Sequence, residues 1–371
     1  MRQRFLGFVV VGALAALLSA CGGSRYISPT CSGCTLLWAT TAAGDVAAAR
    51  IANGSSAIGA AHLAPGPAAS AGIGLAWNLG MGVAALYVAD PAANAVRAYA
   101  INMQDGGLAP ASFGPYPLTG AQGSPGQIAV VWPHLYVASS GGAIFGFTIN
   151  SDNSLTPIAG SPFAAGPGAS SPCSGGSTAG GNASYLYVAN TGDPMGGISA
   201  FSIASNGALA PVAGSPFPTL AASSPEGILC SYGFVYVALH NAAAIAGFAI
   251  GTGGALVPLA GSPYPAGVDV SSLALAAGSV YAENPGSVSG YRRDSVSGTL
   301  TPVVGSPFPV EGATGVITGF YNLLLVPQTN GYLAFDPDPT TGALGPGTPY
   351  NLGAMPLATV ILQTAVTDPP N

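Results

Sequence analysis

Ionisable side chains are so sparse in this 371-residue chain that each can be weighed by itself: seven arginines, no lysine, 13 acidic residues and three histidines. Glu226 is the first candidate for chemistry. It stands ten residues before an aromatic marker, Tyr236, where comparable stretches carry Gly126, Ser271 and Gly315. A carboxyl in a narrow, poorly hydrated place has its charged form disfavoured and can then act as an acid or a base. His240 follows the same marker, and imidazole is the side chain whose ordinary pKa suits proton transfer near neutral pH. Each has an ordinary alternative, Glu226 as a turn carboxylate receiving backbone N–H groups and His240 as a polar loop residue. His134, beside Pro133, and His62, in an Ala/Pro-rich stretch, take no role.

Other familiar chemistries lack their residues. Asp90, Asp193, Asp269, Glu283, Glu311, Asp336 and Asp338 fall near strand ends and turns, several before proline, and read as a solvated loop face. No spacing matches a calcium loop, and three scattered histidines do not make a zinc site. No Gly-x-Ser-x-Gly elbow occurs on a strand-to-helix turn. No metal or cofactor is expected.

The N-terminus gives an address. Arg2 and Arg4 precede an apolar run from Phe5 to Leu18, too short to span a bilayer comfortably, and Leu18-Ser19-Ala20-Cys21 closes it. These four residues resemble a bacterial lipobox, which implies a signal peptide over residues 1–20, cleavage before Cys21 and lipid on its thiol and new amine. Residues 21–34 then form the lipidated cysteine and its tether. Gly22 and Gly23, with no aspartate after the cysteine, favour the outer membrane by that resemblance. The expected protein is an exported lipoprotein held to the membrane through Cys21.

Without the signal peptide, five arginines face 13 acidic residues, a net charge of about −8. With no basic cluster beyond Arg292-Arg293, nucleic acid is excluded as a partner. After residue 20 no apolar run is long enough to cross a bilayer. Of the five cysteines, Cys21 is committed to lipid and four remain, an even number that favours disulfides in an exported chain. Cys31-Ser32-Gly33-Cys34 can close a local bridge. Cys173 and Cys230 precede successive markers, so a bridge between neighbouring units is geometrically open.

The candidates must be positioned by a repeat. Trp38, Tyr87, Tyr136, Tyr187, Tyr236, Tyr281 and Leu325 recur at spacings of 44 to 51 residues. A strand with an aromatic follows six of the seven markers, then Leu-x-Pro, then Gly-Ser-Pro-aromatic in four units and a variant of it in two. Periods of this length built from short strands predict propeller blades. Alternating runs such as Leu135-Tyr136-Val137-Ala138 suit strands, Asp105-Gly106-Gly107 and Ser205-Asn206-Gly207 suit tight hairpins, and the prolines suit an outer edge. Helix is nowhere indicated. A further apolar strand precedes most markers (Ile73–Trp77, Ile128–Val131, Ile228–Cys230, Leu273–Ala276, Val316–Phe320). Residues 164–184, rich in Gly, Ser and Ala, read as an inserted loop. The first unit lacks its preceding strand, and 356–362 supply one after the last. The expectation is an all-β, seven-bladed β-propeller of four-stranded blades over residues 35–366, closed by the C-terminal strand, with a short tail at 367–371.

Seven units with Tyr-Val-Ala-Asn and Gly-Ser-Pro-Phe resemble the seven-bladed lactonase family, which includes one type of 6-phosphogluconolactonase, and related Tyr-Val-Thr-Asn repeats. That resemblance implies a site at the central channel, with Arg and His after a strand ending Tyr-Val-x-Asn. The nearest counterpart here is Tyr236-Val237-Ala238-Leu239-His240-Asn241, which holds the histidine and no arginine. Two functions compete. With catalytic side chains so scarce, the reading favoured by composition is a monomeric envelope module that binds a protein, glycan or small molecule without turnover. The alternative is a lactone hydrolase with Glu226 and His240 at the channel mouth. Arg, His and carboxylates converging there would favour the enzyme, and a mouth of Gly, Ser and Ala would favour binding.

Overall fold

The computed structural model describes residues 35–363, apart from 52–57, 60–61, 68–69, 71, 79–82, 103–105, 121–122 and 177–183. Cys21, Cys31 and Cys34, with the expected signal peptide and tether, lie outside the described residues. Seven antiparallel sheets follow one another along the chain, each with four strands in sequence order from the axis outwards. Blade 5 runs Pro225–Ser231, Phe234–Leu239, Ala244–Ile250 and Leu256–Pro258; blade 6 runs Ser272–Ala276, Ser279–Asn284, Ser287–Arg293 and Leu300–Pro302. Blade 1 is the exception to sequence order. Its innermost strand is Pro356–Gln363, antiparallel to Thr35–Thr41 with Trp38 opposite Val360. The ring is therefore closed by a C-terminal strand, as the missing strand of the first unit requires.

Each strand alternates its side chains between two neighbouring blades, so among the described residues the apolar side chains gather in seven clusters, one at each blade–blade interface. That division lets a chain of this length bury its apolar residues in small repeated pieces. The aromatic markers sit at these interfaces with no exposed surface. Their polar tips account for the repeat. Trp38 Nε1 and the hydroxyls of Tyr87, Tyr136, Tyr187, Tyr236 and Tyr281 each donate to a backbone carbonyl of the next blade, at Gly106, Asn153, Gly207, Gly254, Gly298 and Gly342, over 2.5 to 2.8 Å. Every accepting residue has φ between 68° and 83°, which favours glycine, with asparagine the one substitute. A buried hydroxyl needs such a partner. At the seventh interface Leu325 cannot donate; there Tyr332 hydrogen-bonds Thr359 at 2.5 Å and Tyr350 donates to Gly59.

The Gly-Ser-Pro-aromatic segment finishes the outer edge. In four blades its serine Oγ accepts the N–H of a third-strand residue (Gly146, Ala200, Gly247, Gly290) at 2.9 Å, and the aromatic pairs with the start of that strand. Backbone groups that would leave the sheet edge open are thereby occupied.

Two expectations are corrected. Residues 164–184 are not simply a loop, because Ala169–Gly176 is the innermost strand of blade 4, paired with Ser184–Asn190. It escaped the apolar pattern because its residues are small and polar; near the axis, where strands crowd, backbone pairing and close approach replace side-chain burial. Single 3-10 turns also occur, at His240–Ala242 and Thr252–Gly254.

Candidate active site

Antiparallel pairing in blade 5 sets Pro225, the first residue of the innermost strand, opposite Leu239, the last of the second. Glu226 and His240 are therefore brought to the same end of the blade although a hairpin separates them in sequence. The register shifts between Pro225 and Ile228. Glu226 lies in this bulge, a device that re-aims side chains beside functional sites. Gly227 is required next to it: a Cβ there would approach the Ser271 carbonyl oxygen to 2.6 Å, so the inner strands of blades 5 and 6 touch at this point.

His240 opens a 3-10 turn whose first N–H groups are tied to the loop preceding Glu226: His240 N–H donates to Ser224 O at 3.2 Å and Asn241 N–H to Ser223 O at 3.0 Å. Its ring lies between two carboxylates. Nδ1 is 3.7 Å from Glu226 Oε1 and Nε2 is 3.7 Å from Asp269 Oδ1. These separations exceed a direct hydrogen bond. Glu226 is 34% exposed, His240 31% and Asp269 62%, so the cluster opens towards solvent and is reachable. Desolvation raises the Glu226 carboxyl above its ordinary pKa; His240 pulls it down and Asp269 pushes it up.

Backbone strain gathers here. Ala222, Ser224, Ala243 and Asp269 all have φ of 48° to 55°, left-handed conformations that non-glycine residues enter at a cost of about 1 kcal/mol or more each. All four lie in the loops that carry Glu226, His240 and Asp269.

A second pair stands behind the first. Ser271 Oγ donates to Glu283 Oε2 at 2.7 Å, and Glu283 is only 2% exposed. Burial raises its carboxyl pKa, the Ser271 hydrogen bond lowers it, and the Glu226 charge raises it further. The reading of acidic residues as a solvated loop face is thus wrong for Glu283, which lies within a strand, and for Asp90, which is 1% exposed and salt-bridged to Arg97 at 2.6 Å. A sequence signal for Glu283 existed: it replaces the alanine that blades 2 to 5 place two residues after the marker (Ala89, Ala138, Ala189, Ala238). Asp269 carried no such signal, since its role depends on a loop crossing from one blade to the next. His134 is apart from this site; burial lowers its pKa. Among the described residues no group of three or more His, Cys, Asp or Glu could hold a metal.

Cys173 and Cys230 form a disulfide between the innermost strands of blades 4 and 5, with Cα atoms 5.7 Å apart. It ties down the strand that carries Glu226.

The fold and the axial placement of this cluster define a seven-bladed β-propeller with a His–carboxylate site where blades 5 and 6 meet. No protein-family model and no curated protein matches the sequence. Solved structures do. A candidate 6-phosphogluconolactonase from Bacteroides fragilis is similar at 20% identity and TM-score 0.69, over 90% of this chain and 99% of that one. A second, from Bacteroides uniformis, has 17% identity and TM-score 0.71, over 90% and 100%. The periplasmic gluconolactonase of Pseudomonas aeruginosa has 17% identity and TM-score 0.67, over 89% and 99%. At these identities the likeness establishes the propeller fold.

Proposed function

We propose that this protein opens lactones by hydrolysis at the axial end of blades 5 and 6. The observation that carries the proposal is the convergence of Glu226, His240 and Asp269, from three separate segments, on one solvent-reachable point. A module that only binds has no need of an imidazole flanked by carboxylates on strained loops. In the proposed reaction His240 takes a proton from water as the water oxygen attacks the lactone carbonyl carbon. Glu226 and Asp269 stabilise the imidazolium that forms. The ring C–O bond then breaks, the departing oxygen takes the proton back from His240, and the hydroxy acid ionises.

The substrate is an uncharged lactone. A phosphorylated one would place its charge beside Glu226 and Asp269, and the chain offers no lysine and few arginines to hold phosphate. The resemblance of Leu18-Ser19-Ala20-Cys21 to a lipobox and the interblade disulfide support an exported, lipid-anchored enzyme, since disulfides persist in oxidising compartments.

The test is proton release by the full-length protein in detergent against a panel of sugar and aliphatic lactones, compared with the Glu226→Ala, His240→Ala double variant. Turnover in the wild type that is lost in the variant is expected. No turnover above the uncatalysed rate, from cooperatively folded protein, would return the site to ligand binding alone.

A further inference from the structure

We propose that Ser271 is a nucleophile of this site and that Glu283 is its general base, so that a bound ester is covalently attached to Ser271 during turnover. The identity of that ester as an opened lactone rests on the function proposed above; the activation of Ser271 does not.

The first observation is geometric. A hydroxyl and a carboxylate within hydrogen-bond reach, Ser271 Oγ to Glu283 Oε2 at 2.7 Å, form a nucleophile–base contact. Ser271 is half-buried and Glu283 is enclosed, so the base sits behind the nucleophile, away from water. The second is position. The Ser271 carbonyl oxygen stands 2.6 Å from where a Cβ on Gly227 would lie, so the Ser271 backbone packs against the residue next to Glu226, and the charges of Glu226 and His240 act on Glu283.

The third observation is a contrast within the chain. Asp152 and Asp294 also accept serine hydroxyls, from Ser154 and Ser297. Both are exposed turn residues that receive backbone N–H groups as well, and those hydrogen bonds lower their pKa and weaken them as bases. Glu283 is the opposite. It has no ion-pair partner within 4.0 Å among the described residues, and burial raises its proton affinity. An unpaired buried carboxyl is expensive to maintain, and alanine fills the same position in four other blades. A packing role does not explain it.

The steps balance. Ser271 Oγ, in place of water, attacks the lactone carbonyl carbon first while its proton passes to Glu283, and the water activated by His240 acts in the second step. The ring C–O bond breaks, and the departing oxygen takes that proton. Water then attacks the ester and gives a proton to His240; the bond to Ser271 breaks, and Ser271 Oγ takes the proton from His240. The net reaction is lactone plus water giving the hydroxy acid.

The experiment treats the full-length protein in detergent with a fluorophosphonate, with peptide mass spectrometry locating the adduct, in wild type, Ser271→Ala and Glu283→Gln. Wild type should be phosphonylated on Ser271. Ser271→Ala should lose that adduct, and Glu283→Gln should slow labelling by about a hundredfold, the scale of general-base assistance. Glutamine preserves both volume and an acceptor for Ser271, so a purely structural Glu283 would leave the labelling rate unchanged. No adduct on Ser271, or undiminished labelling in Glu283→Gln, overturns the proposal. Lactone turnover separates the two readings. Wild-type turnover retained in Ser271→Ala would sink the nucleophile and spare the lactonase. Glu283-dependent labelling without lactone opening would keep the nucleophile and refute the substrate class.

Discussion

Removing the Cys173–Cys230 bridge gives a loss of stability whose size follows from chain length. The bridged cysteines are 57 residues apart in sequence. Releasing a loop of that length returns about 14 cal/mol/K of entropy to the unfolded chain, or about 4 kcal/mol at 25 °C. The perturbation is Cys173→Ala with Cys230→Ala, and the assay is urea unfolding followed by near-ultraviolet circular dichroism. Wild type without reductant should unfold at the highest urea concentration, and the variant should lose about 4 kcal/mol. Its denaturant dependence should also steepen, since an unbridged unfolded chain exposes more surface. Dithiothreitol should lower the wild type by a similar amount and leave the variant nearly unmoved, which separates this bridge from any pairing of Cys31 with Cys34. An unchanged midpoint in the variant, or an equal response of both proteins to dithiothreitol, would refute the argument that the bridge acts by restraining the unfolded chain.

Tyr187→Phe should cost about 1–3 kcal/mol, because it leaves the buried Gly254 carbonyl without its donor. The same change at Tyr281 acts on another interface, so the double variant should sum the two losses; denaturant midpoints check both. The Glu283 carboxyl titrates above the ordinary 4.5, first because it is buried. Its neutral form stabilises the fold fully below that value, and the benefit is lost as pH rises through the raised one. Wild type should therefore weaken relative to Glu283→Gln as pH rises from the ordinary carboxyl value through the raised one, with stability compared by urea unfolding. A difference independent of pH would show that the carboxyl does not ionise on folding terms different from the unfolded chain.

The propeller was legible in the sequence because its physics is local and repeated. Short alternating strands, hairpin glycines, edge prolines and an aromatic marker recur every 44 to 51 residues, so seven weak signals add into one firm one. Even ring closure could be read, from one strand missing at the start and one left over at the end. Glu226 and His240 also stood out as candidates, since ionisable residues are rare, and the structure places their side chains 3.7 Å apart.

The sequence alone could not decide which residues meet. Asp269, Ser271 and Glu283 lie in blade 6 and the loop leading to it; Asp269 meets His240, Ser271 hydrogen-bonds Glu283, and the inner strands of blades 5 and 6 approach closely enough to demand a glycine at position 227. The Ala169–Gly176 strand was hidden for a related reason. Its pairing is made by backbone groups, which every sequence shares, and its side chains carry no apolar period. Burial reversed the meaning of Glu283, from a loop carboxylate to an enclosed carboxyl, and burial is fixed by neighbours distant in the chain. Sequence determined the repeating element and its number, since each strand and turn depends on adjacent residues. Tertiary structure decided the site, because charge, proton affinity and reach depend on groups that only the closed ring brings together.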